Sequence, residues 1–288
     1  MLRLTKCDYL AAGSLEEALS MVTQSKGEAK VIAGGTDLLV KLKKREANYK
    51  RLIGLKGISN LDFIVEERDQ IRLGPLVTHD GVSRSSLLKR YVGFLAEACG
   101  DLGSYQVRCM GTVVGNVCNA SPSADSLPSL LALDARISIL SSTGEKSVPL
   151  DRVFVGPFMT LVRNDEIVTA IEIPKPPPES RGIYVKMPKV TEKDETLVGV
   201  ALLLRREAST GKIEQIRLGL GSVAPTPIRA KETESILTGK NPEDPKVLAQ
   251  AKEVLMKEIS PRSRAGYRRH ITGYLFEEGL RALLSKNS

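Results

Sequence analysis

Two short glycine segments carry most of the chemical information in this 288-residue sequence. The first is Val31-Ile32-Ala33-Gly34-Gly35-Thr36-Asp37-Leu38, a Gly-Gly break directly after an apolar run. The second is Gly111-Thr112-Val113-Val114-Gly115-Asn116, followed by Cys118-Asn119-Ala120-Ser121-Pro122 and Asp125. Glycine permits positive φ and lets a ligand approach the main chain with no Cβ in the way. Successive N–H groups in such turns make a concave nest for phosphate oxygens. A pyrophosphate carries two negative charges and takes several donors, so two opposed loops suit it. Thr36, Thr112 and Ser121 add hydroxyl donors, Asn116 can fix loop geometry, and Asp125 can accept hydrogen bonds from a ligand's hydroxyls.

Neither segment is the dinucleotide fingerprint G-x-G-x-x-G or the P-loop G-x-x-x-x-G-K-[ST]. Gly219-Leu220-Gly221 begins like the former but lacks the third glycine and the following helix, and it reads as a strand end. Taken singly, each glycine segment is an ordinary turn. No side chain suggests a nucleophile or an acid–base pair. With only His79 and His270 present, neither a metal site nor a Ser-His-Asp triad is indicated. Cys7, Cys99, Cys109 and Cys118 form no C-x-x-C pair, and in a reducing compartment they read as small buried apolar residues.

The elements that must hold these loops alternate along the chain. Ser14 with Glu17 forms a capping-box pattern ahead of an amphipathic helix over LEEALSMVTQ. VIAGGTDLLVKL reads as strand, tight turn, then a helical turn or second strand. RLIGLKGI, DFIVEE and IRLGPLVT look like short strands, and GVSRSSLLKRYVGFLAEACG like one or two helices. RISILSSTGEKSVPL has a hairpin turn, and EIVTAIEIP alternates like an exposed edge strand. Pro174, Pro176, Pro177 and Pro178 then break any ladder or helix, which places a domain boundary there, between 1–176 and 177–288. Beyond it, GIYVKMPKV, LVGVALLLRRE and KIEQIRLGLGSV predict a three-stranded antiparallel sheet, followed by helices over PEDPKVLAQAKEVLMKEI and AGYRRHITGYLFEEGLRALLSK.

Bulk properties exclude several function classes. Hydrophobic residues make up 42% and charged residues 26%, a globular balance. No apolar run approaches the roughly 20 residues of a membrane span. The N-terminus does not read as a signal peptide, so the expected location is cytoplasmic. The net charge of +8 is scattered, without interleaved aromatics, and does not read as a nucleic-acid surface. The cluster Arg262, Arg264, Arg268, Arg269 and His270 reads as a solvated helix face or a contact with an acidic partner subunit.

In combination the segments are specific. VIAGGTDLLV, then MGTVVGNVCNASPSADSLPSLLALDARI, GPFMTLVRNDEIVTAIEIP, YVKM, LGLGSVAPTPIRA and SPRSRAGYRRH resemble, in order, the FAD-binding subunit of the molybdenum hydroxylases. That family includes the medium subunit of aerobic carbon monoxide dehydrogenase and the flavin domain of xanthine dehydrogenase. The resemblance implies an α+β chain: a two-part FAD-binding domain of the vanillyl-alcohol-oxidase (PCMH) type, then a small α+β C-terminal domain. It implies that Val31 to Leu38, Thr112, Gly115, Asn116 and Ser121 hold the FAD pyrophosphate and that Asp125 contacts the cofactor. It further implies that Leu161 packs near the isoalloxazine and that Lys186 reaches the flavin from the second domain.

The implied role is electron transfer from a small 2Fe–2S subunit to NAD or another acceptor. The substrate would react at a molybdopterin cofactor on a large subunit, in a heterotrimer. The sequence departs from the family pattern at Val190-Thr191 and Asp194-Glu195-Thr196. It also lacks the inserted cluster loop of the 4-hydroxybenzoyl-CoA reductase flavin subunit. A self-contained FAD-dependent reductase and a non-catalytic scaffold are the alternatives.

Overall fold

The computed structural model describes residues 6–190 and 195–285. The chain begins with a small parallel sheet. Strand β1 (Asp8–Ala11) leads to helix α1 (Leu15–Gln24), β2 (Ala29–Ile32), α2 (Leu38–Lys43) and β3 (Arg51–Gly54). The strands pair in the order β1-β3-β2. The Ser14 cap forms, its hydroxyl accepting from the Glu17 amide, while the Glu17 carboxylate reaches back one residue beyond the usual capping-box partner, to the Gly13 N–H. Ala18 and Val22 of α1 pack with Ile53 and Leu55 in the core of this lobe.

A second lobe follows. It contains β4 (Ile64–Glu66), β5 (Gln70–Leu73), α3 (His79–Arg84), α4 (Ser86–Gly100), α5 (Tyr105–Met110), α6 (Val113–Asn119) and α7 (Ser126–Ala132). It ends with β6 (Arg136–Ser141), β7 (Gly144–Pro149), β8 (Phe154–Gly156), β9 (Met159–Thr160) and β10 (Ile167–Pro174). The main sheet is antiparallel, ordered β4-β5-β10-β6-β7.

The strand EIVTAIEIP is therefore not an edge. It is the middle strand, paired with β5 on one side and β6 on the other, with Ile167 to Ile171 buried. Its polar positions are satisfied by neighbouring strands rather than by water. The Thr169 hydroxyl bonds to the Glu145 carboxylate, and Glu172 accepts from Ser138 and Ser147. Alternation reports only that every second side chain is polar; here cross-strand partners do what solvent does at an edge.

After the prolines, β11 (Arg181–Pro188), β12 (Thr196–Arg206) and β13 (Ile213–Gly221) form an antiparallel meander. The expected three strands become four, because the two residues of β14 (Ile228–Arg229) extend the sheet beside Gly219 and Leu220. Three helices follow rather than two: α8 (Lys231–Leu237), α9 (Pro245–Glu258) and α10 (Ala265–Ser285). The N-cap position of α8, Ala230, makes no side-chain capping bond, so that short helix has no start signal in the sequence.

The strand-end reading of Gly219-Leu220-Gly221 holds, and the structure supplies the reason for the glycines. A Cβ on Gly219 would fall on the Pro128 carbonyl, and one on Gly221 on the Pro128 ring. Helix α7 sits directly on β13, so the bare backbone lets the two parts of the molecule meet closely. No helix among the described residues is long and apolar enough to cross a membrane.

Candidate functional site

The two glycine segments converge. The first forms the turn between β2 and α2, where Gly35 takes φ +75°, a conformation that disfavours any side chain. The second is the joint between α5 and α6: Gly111 ends one helix and Thr112 caps the next, its hydroxyl accepting the Gly115 N–H at 3.0 Å. A Cβ on Gly34 would collide with the Met110 carbonyl and crowd Gly111. The segments thus touch main chain to main chain, which only glycine allows.

Together they wall a cleft of about 570 Å³, within the usual range for a small-molecule site. Thirteen of the fifteen residues expected at the site line it: Val31 through Leu38, Thr112, Gly115, Asn116, Ser121 and Asp125. Leu161 and Lys186 do not. Leu161 packs against the core of the second lobe, its N–H bonded to the Val153 carbonyl at 2.9 Å. Lys186 donates to the Asp101 carbonyl at 2.9 Å and lies 3.5 Å from Asp125.

The polar groups of the cleft divide into held and free. Asn116 fixes the second loop, accepting from the Ser126 hydroxyl at 2.7 Å. The Gly115 amide is consumed by the Thr112 cap, although the Thr112 hydroxyl keeps its own proton to donate. Among the described residues, the amides of Gly34, Gly35 and Thr36 have no protein acceptor.

Asp125 is buried. Its Oδ1 takes the Tyr184 hydroxyl at 2.8 Å, the Thr196 hydroxyl and the Lys186 ammonium. Burial pushes its carboxyl above the ordinary aspartate range, while Lys186 and the two hydroxyls pull it partly back. Among the described residues its Oδ2 has no hydrogen-bond partner, and Asp125 lines the cleft. Burial likewise raises Asp37, opposed by Lys41.

The sequence match continues through this geometry. Residues 5–176 match the family described as the FAD binding domain in molybdopterin dehydrogenase, and residues 183–283 match the CO dehydrogenase flavoprotein C-terminal domain. The chain belongs to the FAD-binding subunits of the molybdenum hydroxylases. This FAD-binding subunit is 30% identical over 258 residues to the xanthine dehydrogenase FAD-binding subunit of Escherichia coli O157:H7, covering 88% of this chain and 87% of that one. It is 31% identical over 273 residues to the glyceraldehyde dehydrogenase medium chain of Sulfolobus acidocaldarius, covering 93% and 94%. A solved structure of the carbon monoxide dehydrogenase from Hydrogenophaga pseudoflava superposes with a TM-score of 0.94 at 28% identity, over 99% of this chain and 100% of that one.

The cleft of the FAD-binding subunit fits its cofactor on its own evidence. Among the described residues it has unpartnered main-chain donors at a glycine contact and one carboxylate oxygen with no hydrogen-bond partner. Sequence reasoning missed several lining residues: Lys41, Tyr49, His79, Phe158 and Glu195. Lys41 lies 4.8 Å above the Phe158 ring and donates to Asn119 at 2.6 Å, tying α2 to the second lobe. Glu195 accepts from Ser123 at 3.0 Å and pairs with Lys189, so the second domain contributes to the wall. Glu195 and Thr196 lie where the sequence departs from the family pattern, so motif matching passed over them. Thr191 and Asp194 lie outside the described residues.

Proposed function

We propose that this subunit transfers electrons within a multi-subunit molybdenum hydroxylase. It would take them from a small 2Fe–2S subunit and pass them to an external acceptor such as NAD. A large molybdopterin-binding subunit would carry the substrate chemistry, with the assembly in the cytoplasm. The observation that carries this reading is the main-chain contact of Gly34 with Met110 and Gly111, which brings two donor loops onto one cleft.

Val31 to Leu38, with Thr112 and Ser121, are assigned to the pyrophosphate. Gly115 and Asn116 hold the second loop in shape, and Asp125 offers Oδ2 to cofactor hydroxyls. Lys186 acts from behind by holding Asp125, and Leu161 supports the wall from the core. The division at 1–176 and 177–288 assigns binding to the first domain, with Glu195, Thr196 and Tyr184 closing the site from the second. Bound FAD supplies redox chemistry that can exchange electrons singly with one partner and in pairs with another. The protein contributes binding, orientation and shielding from water.

Purified full-length chain incubated with FAD is expected to retain an absorbance band at about 450 nm after desalting. Co-expression with its complex is expected to yield large and small subunits on the same column, with the band bleached by NADH. A colourless chain overturns FAD binding. A yellow chain that captures neither subunit favours the self-contained reductase.

A further inference from the structure

His79 lines the cleft, yet the residue is only 2% exposed and its Nδ1 is buried with no hydrogen-bond partner among the described residues. Folded proteins strand a buried N–H more rarely than a buried acceptor, and a neutral imidazole has one nitrogen of each kind. The proton therefore belongs on Nε2, which has no protein hydrogen-bond partner among the described residues.

The residue is also held in place. Its own N–H donates to the Gly111 carbonyl at 3.0 Å, Val113 donates to the Val77 carbonyl at 3.0 Å, and Thr78 bridges Thr112. The 77–79 segment is thus stitched to the second glycine loop. A Cβ built on Gly111 would lie 3.5 Å from His79 Cδ2 and 3.2 Å from Thr36 Oγ1, so the imidazole edge and the first loop meet at one point.

We propose that His79 is a cofactor-binding residue whose Nε2–H donates to a pyrophosphate oxygen of FAD where the two loops meet. This rests on the FAD reading above. Burial and the nearby Arg108 push the imidazole down to about 4, so the donor is neutral. Arg108 itself spends its guanidinium on the Leu102 and Gly103 carbonyls. The other charged groups on the cleft wall are Lys30, Asp37, Lys41, Asp125 and Glu195.

The test uses the full chain, stripped of flavin and labelled with 15N-histidine. The sequence has two histidines and His270 is exposed, so a His270→Gln background assigns the remaining signal to His79. On adding FAD or ADP, the Nε2–H of His79 is expected to slow its exchange and shift, with Nδ1 remaining unprotonated at pH 7. Riboflavin, which has no pyrophosphate, leaves it unmoved. His79→Phe raises the FAD Kd about tenfold, the value of one hydrogen bond, and His79→Gln recovers most of the loss.

An Nδ1–H tautomer, a signal indifferent to ADP, a response to riboflavin alone, or unchanged FAD affinity in His79→Phe each overturns the proposal. If His79→Phe does not fold, the wild-type spectra decide. Wild-type chain that binds no FAD would overturn the underlying reading first.

Discussion

At the scale of single residues, the site depends on what is missing as much as on what is present. Gly34 has no room for a methyl group, because the Met110 carbonyl occupies its place. Gly34→Ala must push the loops apart, and the expected result is FAD retention reduced more than tenfold with a lower Tm, read by flavin absorbance and calorimetry. Gly144, with open space around its Cβ position but φ +119°, is a control for strain without loop separation. Gly144→Ala should lower Tm while keeping flavin.

His79 supplies a second residue-level expectation. Its folded-state pKa is about 4 against an ordinary 6.5, so between these values the unfolded chain binds a proton that the native chain does not. Its contribution is complete above about pH 6.5 and lost as pH falls towards 4, up to about 3 kcal/mol. In the flavin-free protein, the stability of His79→Gln should therefore fall less steeply than wild type over that window. Parallel denaturation midpoints would show that the histidine titrates normally.

At the scale of elements, short pieces rather than long ones place the chemistry. Helix α6 has seven residues, and its first turn depends on Thr112. Thr112→Val keeps the shape but removes the cap, which is expected to cost about 1 kcal/mol. FAD affinity should fall with it, since the hydroxyl proton also faces the cleft. A denaturant midpoint unmoved by the substitution would argue against the cap.

These short pieces also mark the limit of what the sequence discloses. The Ser14 cap, the β6–β7 hairpin and the long strands were legible because each declares itself in neighbouring residues. The central position of β10 was not, because cross-strand hydrogen bonds to Glu145, Ser138 and Ser147 hide its burial behind an edge-like pattern. Strand β14 and helix α8 were missed because two and seven residues carry little periodicity. The glycine loops were visible as residues, while their contact is a tertiary fact. His79, Lys41 and Glu195 reach the cleft from elements whose local sequence gives no sign of it.

At the scale of the molecule, the two domains share a buried charge. Asp125 belongs to the first, while Tyr184, Lys186 and Thr196 belong to the second, and Lys186 and Asp125 are almost wholly enclosed. A second bridge, the pairing of Asp134 with Arg217 and Arg229, is more open to solvent on the acidic side and so counts for less. Lys186→Met removes the cation that, among the described residues, pairs with Asp125, and leaves its carboxylate buried with two hydroxyl donors. The expected loss is about 3 kcal/mol at neutral pH.

The sign of its pH dependence follows from the direction of the shift. Burial already raises the Asp125 pKa in the folded state, and losing Lys186 raises it further. Above its ordinary value the native chain then holds a proton that the unfolded chain has released, so stability declines as pH rises through that window. The deficit of Lys186→Met relative to wild type should accordingly be smallest near pH 4 and grow towards pH 8. The double variant Asp125→Asn/Lys186→Met has no buried charge left to strand, and should regain part of the loss and lose the pH dependence. If the deficits of the two single variants simply add at every pH, the pair does not couple the domains, and the closeness of Gly219 and Gly221 to Pro128 must hold them together instead.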